Sequence, residues 1–511
     1  MDAGLRTPGA LVRGRSARRR GQPWGDPAIR PGRGGHLPPG GDPGAYNLGC
    51  RPGARSGLRR KQPRGKLRPQ YCGRPGVPAR RGSRRAGFTV RRRPVLPEPG
   101  LNPDLVRPPD RAVLLLVRAD ADPTLRPEAA DLLASGTVSP YEVWDRAGSH
   151  QVLPAVARLI ASEEVGRVLD SRLVGAAQVY RRKVLAVNLV QHAELKAIIQ
   201  ALSAAGIPAV PLKGTYLAER YYGGLDGRLS GDVDILVPAE LVEGARKVLG
   251  NLGFQPAPES SPARVSHPFH DPAYVRPSAT GWTVVELHRG LTDPRFVKVN
   301  YGRLWAGVRR LSGAGFDWPA VLPPEEELLF LAVHLPKHDT GILRLLADID
   351  RAIRHHGPQF DWAALIDLAV DWQAAVMLYF GLERARVFLG TPVPERVLVR
   401  LRPARWRRLA VNWLAGPEAI LSQARSDNIR TNRFRLAYCA MLTPTGKAFQ
   451  ACSAYFFAPE PGSDDRRLTA ILRGIARLAA TIFGSRPGSQ TGRRISTFTQ
   501  LVLNRLTTSA R

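Results

Sequence analysis

Three carboxylates carry the chemistry this sequence offers. Asp232 and Asp234 stand two residues apart at the start of the apolar run Ile235-Leu236-Val237, and Glu286 stands in the alternating segment Val284-Val285-Glu286-Leu287-His288. In an extended strand, side chains at i and i+2 share one face. Asp232 and Asp234 are therefore expected to project together, as are Glu286 and His288. Neighbouring carboxylates repel, and both stay ionised only with positive charge between them. Mg2+, or Mn2+ in its place, suits that position, because it takes one or two carboxylates together with phosphate oxygens. A third carboxylate on an adjacent strand makes a site able to hold two ions, which can stabilise the attacking and leaving oxygens of an in-line phosphoryl displacement. An Asp-x-Asp pair alone is weak evidence, since most such pairs are solvated turns.

This pair has company. Lys213-Gly214 falls where a short apolar stretch, Ile207 to Leu212, turns into a helix-like run reaching Tyr222. Free N–H groups at a helix start suit phosphate, Gly214 allows close backbone approach, and Lys213 adds charge. Arg228 and Ser230, just before the Asp pair, are further candidates for phosphate contact; alternatively, Arg228 merely offsets the carboxylates. His288 either positions substrate or serves as a hydrogen-bonding structural histidine. His334, Lys337 and His338 read as one helix with the two imidazoles at i and i+4. That spacing can bind zinc, but no Glu completes the His-Glu-x-x-His pattern and Lys337 would repel a cation. A lid, an acceptor-pocket wall or plain helix surface are the other readings. His355-His356 precede a Gly-Pro turn and read as loop.

The elements that must position these residues follow from periodicity. Residues 127 to 205 read mostly as helix, with Leu185, Leu189, Leu195, Ile198, Ile199 and Leu202 at helical spacing before Gly206. Short strands are expected at 207–212, weakened by its two prolines, at 234–237 and at 282–287. An amphipathic helix is expected over 241–252. After Pro323-Pro324 the chain reads as helical to about residue 480. The expected organisation is a disordered Arg/Pro/Gly-rich segment at 1–110, a helical region at 111–205, the catalytic core at 206–310, a helical region at 311–485 and a loose tail at 486–511.

The N-terminal segment stands apart in charge. The chain carries 75 Lys and Arg against 43 Asp and Glu, and the first 110 residues alone hold 25 of the basic and 6 of the acidic ones. With 38 Gly and Pro among those 110 residues, the segment cannot bury enough apolar surface to offset its ordering entropy. It is either a tail for nucleic acid or other anions, a transit peptide, or unselected sequence upstream of the true start. The aromatics that single-strand binders stack on are sparse there. Four scattered cysteines suggest free thiols. No long apolar run marks a membrane span and no apolar core marks a secretory signal, so a cytoplasmic protein is expected.

Taken together, Leu212-Lys213-Gly214, Arg228, Gly231-Asp232-Val233-Asp234-Ile235-Leu236-Val237 and Glu286-Leu287-His288 resemble the uncharacterised nucleotidyltransferases of the polymerase-β superfamily, over roughly residues 125 to 400. The resemblance implies an α+β fold: a small mixed sheet with helices, two metal-binding Asp on one strand and a third carboxylate on its neighbour. It implies transfer of an NMP from an NTP to an unidentified acceptor, with Asp232, Asp234 and Glu286 as catalytic metal ligands. Lys213, Gly214, Arg228 and Ser230 would then contact the nucleotide. One departure is local: the wider superfamily opens its phosphate-binding turn with Gly-Ser, where this chain has Lys213-Gly214. Two other readings stay open on the residues alone. Metal-dependent glycosyltransferases also use an Asp-x-Asp pair, although there it typically ends an apolar strand rather than beginning one. A non-catalytic nucleotide- or nucleic-acid-binding protein is the other.

Overall fold

A computed structural model of the chain describes residues 106–258, 270–312, 316–338, 341–422 and 428–456, with a few positions between 474 and 481. Most of the expected basic segment, the loose tail at 486–511, Cys50 and Cys72 lie outside the described residues. The boundary expected at 110 falls inside the first helix, α1 (Pro108–Ala121). Prolines at the start of a helix cost nothing, because the N–H groups they lack are orphans there anyway. Pro108-Pro109 thus open a helix where composition suggested loop. Asp110 in its first turn is 2% exposed and ion-paired to Arg146.

Four short helices follow, α2 (Arg126–Ala134), α3 (Pro140–Ser149), α4 (Leu153–Ile160) and α5 (Glu163–Gly166), and then the long α6 (Ser171–Ala204). Asp170 caps α6 by accepting from Arg172 N at 2.7 Å. Gly206, at φ +71°, turns the chain after its end. The buried stripe of α6 runs through Val184, Asn188, Gln191, Leu195, Ile198 and Leu202, with His192 and Ile199 beside it. Leu185 and Leu189, expected on the core face, lie outside it, and Leu189 is 51% exposed. Among the polar residues at inward positions, His192 Nε2 meets Glu219 Oε1 at 3.0 Å and Asn188 reaches the loop that leads to Ser230. Asn188 donates to Leu225 O and Arg228 O at 2.5 and 2.6 Å and accepts from Ser230 N at 3.2 Å.

The mixed sheet comprises β1 (Val210–Pro211), β2 (Val233–Leu236), β3 (Gln255–Pro256), β4 (Tyr274–Ser278) and β5 (Gly281–His288), in the order β1-β2-β5-β4-β3. Pro211 is tolerated because β1 is an edge strand. β2 and β5 run parallel, and the other pairings are antiparallel. The crossover between β2 and β5 contains α8 (Val242–Asn251), which turns its buried Val242, Ala245 and Leu249 inward. Between β1 and β2 lies α7 (Thr215–Tyr221), packed with α8 against α6.

Downstream, α9 (Tyr301–Gly307) precedes the hairpin of β6 (Arg309–Leu311) and β7 (Trp318–Val321). The helical region then contains α10 (Pro324–His334), α11 (Ile342–His356), α12 (Trp362–Asp371), α13 (Ala375–Leu389), α14 (Glu395–Leu401), α15 (Arg405–Ala415), α16 (Pro417–Leu421), α17 (Asn428–Met441) and α18 (Thr445–Phe456). His355 and His356, expected in a loop, form the last turn of α11; the helix ends only at Gly357, with φ +58°. Cys439 and Cys452 carry free thiols. The architecture is α+β, as expected, and among the described residues no helix is long and apolar enough to cross a membrane.

Candidate functional site

The parallel pairing of β2 with β5 sets the site. Its register places Asp234 opposite Glu286 and Leu236 opposite His288. Asp234, Glu286 and His288 converge so that one ligand atom from each lies within 4.8 Å of the others. His288 Nε2 is 2.9 Å from Asp234 Oδ1 and 3.6 Å from Glu286 Oε2. From the turn after β1, Lys213 Nζ approaches the same Asp234 Oδ1 at 3.2 Å. Asp234 is 2% exposed, and its other oxygen, Oδ2, is buried without a hydrogen-bond partner among the described residues.

The electrostatics of the group are mutual. Burial works against the Asp234 carboxylate, but Lys213 and His288 outweigh it and hold its pKa well below the ordinary value. Burial likewise opposes the ionised Glu286, and the His288 imidazole more than offsets it, so its pKa is also lowered. His288 is raised despite its burial, by hydrogen bonds to Asp234 and Glu286. Lys213 is raised against burial by Asp234, Asp232 and Glu286, in that order. At neutral pH the site therefore presents ionised carboxylates beside a lysine ammonium.

The remaining sequence candidates fall in two groups. Asp232 lies in the bend just before β2, half-buried, outside the Asp234–Glu286–His288 triad but close enough to act on Lys213. Strand geometry does not extend back to it, so the shared face expected for Asp232 and Asp234 is not formed by two strand residues. Arg228 is not at the triad. It is 3% exposed, donates from Nε to Asp348 Oδ1 at 2.7 Å and from Nη2 to Asp348 Oδ2 at 2.9 Å, and reaches Gly214 O from Nη1 at 3.4 Å. Its charge answers first a carboxylate on α11, Asp348, with a smaller contribution from Asp232. Ser230 is also committed inward, with Oγ donating to Asp232 O at 2.9 Å.

Gly214 is required by this packing. It sits at φ +65°, and a Cβ there would lie 2.6 Å from Ser230 Oγ and 3.1 Å from Asp232 O. The turn carrying Lys213 thus presses directly on the segment carrying Asp232, which explains the glycine without invoking a ligand. Asp348 and Asn188 are the residues that sequence reasoning missed. The signal available for Asn188 was an amide in step with an apolar stripe; for Asp348 it was a carboxylate on the core face of α11. Neither signal names its partner, which lies 120 residues away for Asp348.

Residues 137–390 match the model of a family described as an uncharacterised nucleotidyltransferase. Comparison with curated proteins and with solved structures finds no match. The span 137–390, which contains the five-stranded sheet, the triad and the Arg228–Asp348 pair, matches the uncharacterised nucleotidyltransferase family.

Proposed function

We propose that the protein is a metal-dependent nucleotidyltransferase with a polymerase-β-like core, moving an NMP from an NTP to an acceptor and releasing pyrophosphate. The observation that carries this reading is the buried Asp234 Oδ2, left without a hydrogen bond beside Glu286 and His288. A buried carboxylate oxygen normally finds a donor; one that does not has lone pairs suited to a cation. The two carboxylates fit Mg2+ or Mn2+, which take oxygen donors, with His288 as their hydrogen-bond partner rather than a ligand.

Asp234 and Glu286 would hold the metal, with Asp232 joining from the bend before β2. A divalent ion bound there neutralises phosphate charge and favours in-line displacement. His288 orients both carboxylates through Nε2. Lys213 supplies positive charge at the mouth of the site, where the phosphate chain must lie. The acceptor hydroxyl forms the new bond to the α-phosphorus, the bond to the β-phosphate oxygen breaks, and the acceptor proton passes to Glu286, the most exposed carboxylate of the triad. Arg228, Ser230 and Gly214 act as positioning residues, locking the Lys213 turn to the strand that carries Asp234. A nucleotide-sugar transferase would leave Glu286 without a role.

The test is transfer of label from each α-labelled NTP, with Mn2+, to a component of a cell extract. The reading expects a labelled product that Asp234→Asn abolishes. Asp234→Asn protein that binds Mn2+ and nucleotide as tightly as the wild type would sink it.

A further inference from the structure

Away from the carboxylates, the chain leaving β5 meets the helical region around a second recess. A cavity of about 360 Å3 lies between the segment that opens α9, the first turn of α10 and the end of α12. Small-molecule sites span about 300 to 1,000 Å3. The cavity shares no residue with the triad or with Lys213, and nucleotidyl transfer gives it no use. Two ties hold its walls. Lys298 N donates to Trp372 O at 3.0 Å, and Asn300 Oδ1 caps α9 by accepting from Arg303 N at 3.0 Å.

The floor is apolar, with two polar groups set into it. Leu304 and Leu368 are buried there. Trp372 is 2% exposed, yet its indole N–H has no acceptor among the described residues and is not sealed from solvent, so it opens into the cavity. Glu326 is 9% exposed, and among the described residues no other residue donates to its carboxylate or pairs with it. Its hydrogen bond is to its own backbone N–H, which with Arg303 and Arg309 offsets only part of the rise in pKa that burial causes. The positive end of α10 does not require this acid, because Glu325 and Glu327 stand in the same turn. A buried carboxylate without an ion pair favours a charged donor.

The mouth carries the remaining charge. Arg303 of α9 and Asp371 of α12 pair there at 3.2 Å. Lys298 is exposed at the rim and has no ion-pair partner among the described residues. With Arg303 and Asp371 answering one another, the cavity offers one buried carboxylate, one rim ammonium, one indole donor and apolar walls. An anion alone would meet Glu326, and a cation alone would meet Lys298. A small zwitterion with an apolar body answers both.

We propose that this cavity binds an apolar α-amino acid, with its ammonium on Glu326, its carboxylate on the Trp372 indole N–H and Lys298, and its side chain against Leu304 and Leu368. The inference is independent of the nucleotidyl-transfer reading, since neither metal nor nucleotide enters it.

The experiment is calorimetric titration of the full chain at neutral pH, without metal or nucleotide, using L-leucine and L-phenylalanine. Two analogues of leucine each lack one charge: L-leucinamide has no carboxylate, and isocaproate has no ammonium. Each should bind about tenfold more weakly than L-leucine, the effect of one lost charge-assisted contact. Glu326→Gln should weaken L-leucine about tenfold and leave isocaproate unchanged. Lys298→Met should weaken L-leucine about threefold, as expected for an exposed charge, and leave L-leucinamide unchanged. Wild-type protein that binds neither amino acid overturns the proposal. Isocaproate bound as tightly as L-leucine, or L-leucine affinity unchanged in Glu326→Gln, overturns it as well. If Glu326→Gln fails to fold, Lys298→Met decides, and L-leucine affinity equal to wild type overturns the proposal equally.

Discussion

Two buried carboxylates of this protein are paired in different ways. Asp348, 0% exposed, accepts from Arg228 Nε and Tyr222 Oη on Oδ1, both at 2.7 Å, and from Arg228 Nη2 on Oδ2 at 2.9 Å. Both of its oxygens are satisfied. Asp234 gathers Lys213 and His288 on Oδ1 and leaves Oδ2 without a hydrogen bond. A complete pair closes the structure on itself. An incomplete pair at similar burial retains capacity for something else. Burial and charge alone would have ranked the two carboxylates together; only the count of satisfied oxygens separates them.

The largest expected effect breaks the complete pair. Asp348→Asn leaves Arg228 buried with a weakened partner, and denaturant unfolding should show a loss of about 3–5 kcal/mol. A loss under about 1 kcal/mol would erase the contrast between the two sites.

Asn188→Ala comes next. It removes donors from Leu225 O and Arg228 O and the acceptor for Ser230 N, at a cost of about 1–3 kcal/mol for the groups left unsatisfied. Because the loop it holds leads into β2, the same variant should weaken Mn2+ binding. Unfolding and metal titration on the same protein check both effects.

Asp234→Asn should cost less, about 1–2 kcal/mol by analogy with partly compensated charged hydrogen bonds, since Glu286 and Asp232 remain beside Lys213. Clustered carboxylates by themselves would suggest a neutral or stabilising change. Lys213 and His288 reverse that sign, so the decisive readout is Mn2+ affinity, which should vanish. The pH dependence follows from the depressed pKa of Asp234. Its stabilisation is present above the ordinary Asp range, near about 3.9, and is lost as pH falls through the folded value. The stability gap between wild type and Asp234→Asn should therefore be full at neutral pH and close in strong acid.

The smallest effect concerns a buried carboxylate of opposite sign. Glu327, 2% exposed, accepts from Tyr221 Oη, and its burial raises its pKa despite the pull of Arg220. A raised carboxyl contributes stability below its unfolded value, near about 4.3, and loses it as pH rises through the folded value. Glu327→Gln should therefore be neutral to about 1 kcal/mol stabilising above pH 7, with the gain absent near pH 4. Thermal melts at the two pH values decide it; a destabilised variant at neutral pH would mean the ionised form is held as firmly as Asp348.

Period-2 alternation in Val284-Val285-Glu286-Leu287-His288 already put Glu286 and His288 on one face, and the apolar run after Asp234 already made it the start of a buried strand. These are local properties, dictated by the geometry of an extended chain, and they survive in the structure. The edge position of β1 was hinted at by its prolines, and the end of α6 by Gly206. Composition put a boundary inside α1, because Pro108-Pro109 read alike in a loop and in a first helical turn.

What periodicity could not supply was which residue answers which. Arg228 and Asp348 are separated by 120 residues, and Lys213 and Asp234 by a helix and a loop. Before folding, Arg228 could as well have paired with Asp232 or Asp234. The choice was made when α11 packed on α7 and brought Asp348 to the guanidinium, leaving Lys213 for Asp234. The sequence by itself thus determined the carboxylates and the strands that carry them, since side-chain direction along a strand is set within a few residues. Tertiary packing decided which cations closed the fold and which stayed at the site, since ion pairing depends on distances that only the assembled core sets.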